Sequence, residues 1–269
     1  MITSCSVCKK KQFTTLYKEL SIVKCSSCGH VFYNGSLDAA EINEIYGKDY
    51  FNGEEYINYV QDKELIQRNF KERLKRVKKY SSKGELLEIG SAYGFFLDLA
   101  KDSFNTIGFD ICDDAVQYAN NKLNLNVHCG DFLKEEVNRD FYDVACMYDC
   151  IEHLVNPEDF VEKIYGSLKK GGILVITTGD INRFIPRIRK SKWRLIHPPS
   201  HIHYFSKKTL CMLLERYGFE IISVKYPGIW RSNSVLLGTL FGSNRFTRNF
   251  PGYFWINTFD IVEVISKKI

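Results

Sequence analysis

The sequence predicts an α/β fold, in which a doubly wound and mostly parallel sheet of seven strands follows a small cysteine-rich module. From Gly84 onward, short apolar segments alternate with longer amphipathic ones, which is the pattern of alternating strands and helices. The short segments are apolar on both faces, as in a parallel sheet that helices cover on each side. We therefore divide the chain into the module over 1–36, a connecting helical segment over 37–83 and a main domain over 84–269.

The predicted elements of the main domain follow one another in a regular order. The strand segments read, in chain order, ELLEIG, NTIGFDI, NVHCGD, YDVACMYD, ILVITTG, EIISVKY and DIVEVISKK. The helical segments include FFLDLAKD, DDAVQYANNKL, EDFVEKIYGSLKKGG and SKKTLCMLLERYGF, and we expect the third to end at its glycine pair. Ahead of the first strand, ELIQRNFKERLKRVKKY has apolar residues at helical spacing and seven basic residues between Arg68 and Lys79. That basic face could bind RNA or face solvent.

Two pairs of cysteines lie near the start of the chain. Cys5 and Cys8 form one C-x2-C pair, Cys25 and Cys28 form another, and sixteen residues separate the pairs. This spacing is typical of a structural zinc site, in which four thiolates close a tetrahedral shell and leave no open position. A module of about 35 residues buries too little apolar surface to fold alone, so a bound zinc would stabilise it. His30 follows the second pair directly, and we expect it to pack rather than to bind the metal.

The composition is that of an ordinary globular protein. The 269 residues include 37 basic and 32 acidic ones, and the net charge of +5 is too small to require a nucleic-acid partner. The start, MITSCSVCKK, lacks the apolar stretch of a signal peptide, and no apolar run approaches the roughly 20 residues of a membrane span. We therefore expect a cytoplasmic protein whose cysteines are thiols or metal ligands rather than disulfides.

The stretch LLEIGSAYGFF joins the first strand to the helix that follows. Gly90 and Gly94 allow a tight turn where a nucleotide could approach the backbone, although the G-x-G-x-x-G pattern of dinucleotide-binding turns is missing. Acidic residues mark the ends of the first three strands, because Glu88 precedes the turn, Asp110 ends strand two and Asp131 follows strand three. A carboxylate at the end of strand two can accept hydrogen bonds from both ribose hydroxyls of a nucleoside.

These motifs resemble those of class I S-adenosylmethionine-dependent methyltransferases. The likeness rests on E-x-G-x-x-x-G, the acid after strand two, GDF after strand three and YDCIEHL after strand four, and it extends from about Gly84 to the C-terminus. It implies that the last strand runs antiparallel to its neighbours. It also implies a cofactor site at the ends of the first four strands, formed by Glu88, Gly90, Ser91, Ala92, Gly94, Asp110, Ile111, Asp131, Phe132 and Tyr148.

The resemblance assigns a part of the cofactor to each group of residues. The backbone of the turn from Gly90 to Gly94 faces the methionine part, and Glu88 supports its ammonium group. Asp110 binds the ribose, whereas Asp131 and Phe132 contact the adenine. The family usually has a glycine at the position of Ala92 in this chain, and alanine is still small enough for close approach of the backbone.

Within this family, the chain is similar to bacterial enzymes that carry a four-cysteine zinc module and methylate sugars in surface polysaccharide or antibiotic pathways. The segment HPPSHIHYFSKKTLCMLLERYGF resembles their segment after strand five. Some relatives that methylate a sugar carbon have a further C-terminal domain, whereas this chain ends at its seventh strand, which favours an oxygen acceptor. The resemblance thus implies O-methylation of a nucleotide-activated or polysaccharide-linked sugar. The alternatives are an RNA methyltransferase, a sugar C-methyltransferase and a non-catalytic cofactor-binding subunit.

Two segments supply candidate catalytic residues at the acceptor side. In YDCIEHL, a helical turn that begins at Asp149 would place Glu152 and His153 on the same face. These three side chains could hold a divalent metal or position a base. In HPPSHIHYF, an imidazole is suited to accept the proton of an acceptor hydroxyl, and the resemblance favours His201 over His203 as that base.

Two further segments are rich in one kind of side chain. RFIPRIRKSKWR, from Arg183 to Arg194, contains six basic residues and no acid. Guanidinium groups bind phosphate oxygens in pairs, so this segment could contact the diphosphate of a nucleotide sugar. RNA, with a base stacked on Trp193, and a solvated loop are the other interpretations. The rings between Glu44 and Tyr59 could line a ligand pocket or join the module to the main domain.

Overall fold

A computed structural model describes residues 2–36, 62–234 and 252–269, so the tyrosine-rich stretch from Glu44 to Tyr59 lies outside the described residues. The strands are, in chain order, β1 Phe13–Tyr17, β2 Ile22–Cys25, β3 Val31–Tyr33, β4 Gly84–Ile89, β5 Phe104–Asp110, β6 Val127–Cys129, β7 Tyr142–Tyr148, β8 Leu168–Gly179, β9 His203–Tyr204, β10 Phe219–Lys225, β11 Ile229–Ser232, β12 Tyr253–Ile256 and β13 Ile261–Lys268. The α-helices are α1 Lys63–Val77, α2 Phe95–Ala100, α3 Asp113–Leu123, α4 Pro157–Ser167, α5 Phe184–Arg189 and α6 Lys207–Arg216.

Seven strands form the main sheet, in the order β6-β5-β4-β7-β8-β13-β10. The strands from β4 to β8 pair in parallel, whereas β13 is antiparallel to both of its neighbours. The predicted fold class is therefore confirmed, including the reversed last strand. The strand order changes direction between β4 and β7, and ligands of such sheets bind beyond the carboxyl ends of the strands at this point.

Helices cover both faces of the sheet. On one face, buried side chains of α1, α2 and α3 pack together, among them Leu74, Phe96 and Val116. On the other face, α4 and α6 contribute Ile164 and Leu213 to a second cluster. Full burial of such a side chain stabilises the fold by about 1.5–3 kcal/mol, which explains why the strands between the two clusters are apolar on both sides. None of the helices in the described part of the chain is long and apolar enough to cross a membrane.

Helix α4 ends earlier than its sequence pattern predicts. The helix stops at Ser167, and Leu168 already pairs with Tyr142 as the first residue of β8. Leu168 is completely buried, so a continued helix would remove this side chain from the core. The residues 169–172 form an irregularity in the strand pairing instead. The expectation that the helix reaches its glycine pair is therefore wrong.

The N-terminal module shares its sheet with the main domain. Strands β1, β2 and β3 form an antiparallel sheet whose fourth strand is β9. Phe32 pairs with His203 across this boundary, and the amide of Tyr33 donates a hydrogen bond to the carbonyl of Ile202 at 2.8 Å. Cys5 and Cys25 also belong to the core cluster of the main domain. The module is thus attached to the residues that follow β8, on the side where an acceptor is expected.

Candidate active site

Two glycines and an alanine shape the turn between β4 and α2. Gly90 has a φ of 73°, and a Cβ at this position would lie 2.6 Å from Sγ of Cys150. Gly94 has a φ of 72°, and a Cβ there would lie 2.5 Å from a methyl carbon of Leu125. Ala92 is also left-handed, with a φ of 47°, which costs a residue with a Cβ about 1 kcal/mol. The turn therefore needs support from outside its own backbone.

Asp110, at the end of β5, gives the turn that support. One carboxylate oxygen accepts a hydrogen bond from the amide of Ala92 at 2.7 Å, and the other accepts one from the amide of Cys112 at 2.9 Å. Each carboxylate oxygen has two lone pairs, so these bonds leave acceptor capacity for ribose hydroxyls. Asp110 thus has a role that the sequence did not reveal, since it holds the glycine turn in place from the neighbouring strand.

A cavity of about 450 Å³ opens at the carboxyl ends of the central strands. This volume lies within the range of about 300–1,000 Å³ that is typical of small-molecule sites. All the predicted cofactor residues except Gly94 line it, together with Phe70 of α1, Phe160 of α4 and His153. Gly94 instead permits α2 to pack closely against Ala119 of α3.

Two buried polar atoms of the cavity wall lack a protein partner. Oε2 of Glu88 and Oγ of Ser91 are buried and make no hydrogen bond to any described residue. Burial raises the pKa of Glu88 well above its usual value; Arg73 opposes this shift and Asp110 adds to it. A cation beside Glu88 would favour the charged carboxylate. These atoms therefore fit a ligand with an ammonium group and further donors, as the methionine part of S-adenosylmethionine has.

The residues after β6 form the opposite end of the cavity. The amide of Leu133 donates a hydrogen bond to Asp131 at 3.0 Å, so this carboxylate caps its own turn. Phe132 is almost completely buried, with its ring 5.3 Å from that of Phe109 and 5.8 Å from that of Phe160. The apolar wall and the acid thus both line this end of the cavity, although the ring of Phe132 belongs mostly to the core.

Asp149 is held by two partners at the end of β7. Arg73 of α1 donates a hydrogen bond to Oδ2 at 2.7 Å, and the hydroxyl of Thr177 donates one to Oδ1 at 2.9 Å. The Arg73 guanidinium also lies over the Tyr148 ring, 4.7 Å from its centre. Asp149 lines the cavity, but its direction is set by these contacts, and the ion pair ties the connecting helix to the cavity wall.

Glu152, His153 and His201 come together at the acceptor side. One ligand atom from each lies within 4.8 Å of the others, and the rings of the two histidines are 4.5 Å apart. Asp149 is not part of this group, contrary to the expected face of a helical turn, because Ile151–His153 is a 3-10 turn and Asp149 precedes it. Two imidazoles and a carboxylate are a familiar ligand set for a divalent metal ion.

The two histidines of this group differ in their access to the cavity. His153 lines it, and its Nδ1 must donate to the carbonyl of Ser200 at 2.9 Å, so the lone pair of the ring is on Nε2. His201 is buried behind it, where its Nδ1 donates to the carbonyl of Leu195 at 2.9 Å. Burial lowers the pKa of His201 well below its usual value, and His153 adds to this shift. The structure thus places His153, and not His201, against the cavity.

His203 contacts the N-terminal module rather than the cavity. Its Nε2 must donate to the carbonyl of Val155 at 3.4 Å, so its Nδ1 accepts a hydrogen bond from Nε2 of His30 at 3.0 Å. Burial lowers the pKa of His203 to about 4. The pair lies among the rings of Phe32 and Phe205. His30 is thus a packing residue, as its position in the sequence suggested.

The side chains of the four N-terminal cysteines lie close together. Their sulfur atoms lie within 4.8 Å of one another, with Cys5 and Cys28 at 3.6 Å and Cys8 and Cys25 at 3.5 Å. Four sulfurs around a zinc ion at about 2.3 Å would be about 3.8 Å apart, so the thiols already approach this tetrahedron. The hydrogen bond from Cys28 lowers the pKa of Cys5 to about 5, which favours a thiolate. The donor set therefore fits a structural zinc ion.

The basic segment after β8 contains two residues, Trp193 and Arg194, that contact Asp260. Trp193 is buried and its ring N–H donates a hydrogen bond to Asp260 at 2.9 Å, so the ring cannot stack on a nucleic-acid base. Arg194 pairs with the same carboxylate at 3.1 Å. The RNA interpretation, as far as it depended on Trp193, is therefore corrected.

The comparisons with known proteins agree with this geometry. A family model described as a methyltransferase domain matches residues 59–224. The chain is a class I S-adenosylmethionine-dependent methyltransferase.

The chain is similar to several relatives and solved structures at low sequence identity. A ubiquinone biosynthesis O-methyltransferase of Rickettsia felis is 29% identical over 135 residues, which are 47% of this chain and 54% of that enzyme. The chain thus spans about half the length of that relative. An uncharacterized protein of Methanocaldococcus jannaschii is 26% identical over 172 residues, which are 63% of this chain and 79% of the other. A crystal structure of a methyltransferase of Thermotoga maritima, described as a possible histamine N-methyltransferase, superimposes on this chain with a TM-score of 0.56 at 21% identity. The aligned region is 85% of this chain and 99% of the Thermotoga chain. At this identity the structural likeness shows the fold alone.

The methyltransferase site includes residues of α1 that sequence reasoning missed. Phe70 lines the cavity, and Arg73 holds Asp149. Both residues lie on the helix that was expected to be either a solvated face or an RNA contact. The sequence did contain a sign of this role. Phe70 and Arg73 are one helical turn apart and lie near the apolar face that includes Leu74 and Val77.

Proposed function

We propose that this methyltransferase transfers a methyl group to a hydroxyl oxygen of a sugar that is nucleotide-activated or polysaccharide-linked. The observation that carries the proposal is the position of His153, whose imidazole lines the same cavity as Glu88, Ser91 and the glycine turn. The cofactor supplies a methyl group that its sulfonium activates. When that cofactor is bound, Nε2 of His153 would take the hydroxyl proton of the acceptor as the methyl group is transferred to its oxygen.

His153 is the proposed base because its tautomer and its access both suit the task. The hydrogen bond to Ser200 assigns the ring proton to Nδ1, so the lone pair of the ring is on Nε2, the atom with which an imidazole of this tautomer acts as a base. His201 supports the ring from behind, at the edge of the same cluster. Asp149 is a less suitable base, because Arg73 and Thr177 already bind both of its oxygens.

Different observations support the oxygen atom and the sugar. The similarity to a ubiquinone biosynthesis O-methyltransferase of Rickettsia felis supports an oxygen acceptor. The resemblance to zinc-module methyltransferases of sugar pathways supports a sugar. The buried Trp193 weighs against RNA as the acceptor.

We also propose that Cys5, Cys8, Cys25 and Cys28 hold one structural zinc ion. The closed set of four thiols and the absence of an open position suit structure rather than catalysis. Elemental analysis of protein purified without added metal is expected to find about one zinc per chain. Less than about half an equivalent, with the thiols free, would contradict the proposal.

The function is tested with S-adenosylmethionine that carries a ¹³C-labelled methyl group and a panel of nucleotide sugars. Mass spectrometry should find one added methyl on a particular sugar, and the carbon chemical shift should be that of a methoxy group. A methyl bound to sugar carbon would support the C-methyltransferase alternative instead. Transfer to none of these sugars, with transfer to RNA or with cofactor binding alone, would contradict the proposal and favour the RNA enzyme or the non-catalytic subunit.

A further inference from the structure

A basic and apolar surface lies on helix α5 and the turn after it. Phe184 and Ile188 are 76% and 63% exposed, and they are four residues apart, so they lie on one side of the short helix. Phe259 is 54% exposed, and its carbonyl accepts a hydrogen bond at 3.0 Å from Nε of Arg183, the residue before α5. We call this the α5 surface. It exposes three large apolar side chains where a folded protein would usually bury them.

The cations of the α5 surface carry charge that the described residues do not neutralise. Arg187, Arg189, Lys190 and Lys192 are all exposed, and none forms an ion pair with a residue that the structure describes. The segment from Arg183 to Arg194 contains no acid. Four cations within six residues, next to exposed rings and an aliphatic side chain, form a surface that complements negative charge on an apolar body.

An anionic bilayer has this combination of properties. Lipid headgroups attract each nearby Lys or Arg, and the interface below them accepts exposed Phe and Ile side chains. A nucleic acid would match the charge but not the apolar side chains, because Ile188 offers no ring for stacking and Trp193 is buried. A second copy of this chain would bring the same cations, so the two surfaces would repel each other.

We propose that the α5 surface binds the protein to an anionic membrane surface, with Phe184, Ile188 and Phe259 in the interface and the cations among the headgroups. The proposal concerns binding alone and does not depend on the acceptor. Helix α5 follows the carboxyl end of β8, which is the edge of the sheet where the cofactor cavity opens. A methyltransferase docked in this way would present its acceptor side near the membrane.

The experiment is co-sedimentation of the full chain with vesicles of phosphatidylcholine alone and of phosphatidylcholine with phosphatidylglycerol. We expect binding to the anionic vesicles and little to the neutral ones, and weaker binding at high salt. The double variant Arg189→Glu, Lys192→Glu should lower the affinity at least about tenfold. The double variant Phe184→Ser, Ile188→Ser should lower it about fivefold or more while keeping the charge.

Matched control variants distinguish specific binding through the α5 surface from non-specific adsorption of the protein to vesicles. Trp255→Ser removes another exposed ring, 56% exposed on β12, and should leave vesicle binding unchanged. Lys170→Glu with Lys267→Glu reverses two exposed lysines at the other end of the sheet and should have much less effect than the α5 pair. Cofactor affinity, measured by calorimetry for each variant, shows that the fold is intact.

Three results would overturn the proposal. The first is equal sedimentation with anionic and neutral vesicles, or with neither. The second is that the control variants weaken binding as much as the α5 variants do. The third is that the α5 variants keep their vesicle affinity but lose binding to RNA or lose self-association in analytical ultracentrifugation, which would assign the surface to those occupants.

Discussion

The proposed cofactor side and the proposed acceptor side of this methyltransferase are built in different ways. The cofactor side consists of strand ends of one sheet, and its key contacts join neighbouring strands, as between Asp110 and Ala92. The acceptor side joins three separate parts of the chain: the 3-10 turn with His153, the segment around His201 and the N-terminal module. The link from module to turn runs through β9 and the residue before it, because the amide of Ile202 donates a hydrogen bond to the carbonyl of Glu152 at 2.8 Å.

Because of this difference, we expect that cofactor binding and methyl transfer to the acceptor can be changed independently by mutation. The cofactor side depends on backbone geometry that the main sheet provides by itself. The acceptor side depends on the module, because strand β3 fixes β9 and β9 adjoins the turn that carries His153. We therefore expect changes on the acceptor side to affect methyl transfer while cofactor affinity stays nearly constant.

The largest effect is expected at the proposed base. His153→Ala should lower the rate of methyl transfer by about 10²–10⁴-fold, the usual range for a lost general base. Cofactor affinity should hardly change, because Glu88, Ser91 and Asp110 remain in place. Single-turnover kinetics and calorimetry measure the two quantities on the same preparation.

His201→Ala is the matched comparison for that experiment. The structure predicts a smaller loss, since His201 lies behind His153 and not against the cavity. If His201→Ala abolished transfer while His153→Ala kept it, the original preference for His201 as base would be restored and the assignment to His153 would be wrong.

The next effect is on the cofactor side. Asp110→Ala should weaken S-adenosylmethionine binding about tenfold or more, because each hydrogen bond to a charged group is worth roughly 1.5–3 kcal/mol. The loss has two sources, the ribose contact and the support of the left-handed Ala92. Unchanged affinity in calorimetry would remove Asp110 from the cofactor site.

A smaller effect is expected where the connecting helix contacts the cavity. Arg73→Met removes the partner of Asp149, whose side chain is 42% exposed, so solvent screening limits the loss. Cofactor affinity should fall about threefold. Lys75→Met on the same helix breaks only the exposed pair with Glu72 and should have no measurable effect. Equal results for the two variants would show that α1 does not support the site.

The positions of the proposed cofactor residues follow from the sequence more readily than those of the proposed acceptor residues, for a physical reason. Strands of a parallel sheet bring their ends together, so Glu88, Asp110 and Asp131 could be placed from their positions at strand ends alone. No local pattern places His203 beside His30, because the two are 173 residues apart and β9 has only two residues. Their contact depends on tertiary packing.

The end of α4 shows the same limit within the fold. The glycine pair is a good signal for the end of a helix, but the burial of Leu168 in β8 outweighs it. Likewise, Arg73 reads as one cation among seven on a basic helix. Only the docking of α1 shows that this cation, unlike its neighbours, contacts the carboxylate of Asp149.

The separation of the two sides is tested most directly in Cys8→Ser, which changes the half-buried member of the proposed zinc site. Methyl transfer and S-adenosylmethionine affinity are measured together on this variant and on the wild type. We predict a fall in transfer of about 10²-fold, since small displacements of a reacting group have effects of this size, with cofactor affinity within about twofold of the wild type. Equal losses of transfer and cofactor affinity, or no loss of either, would contradict the dependence of the acceptor side on the module.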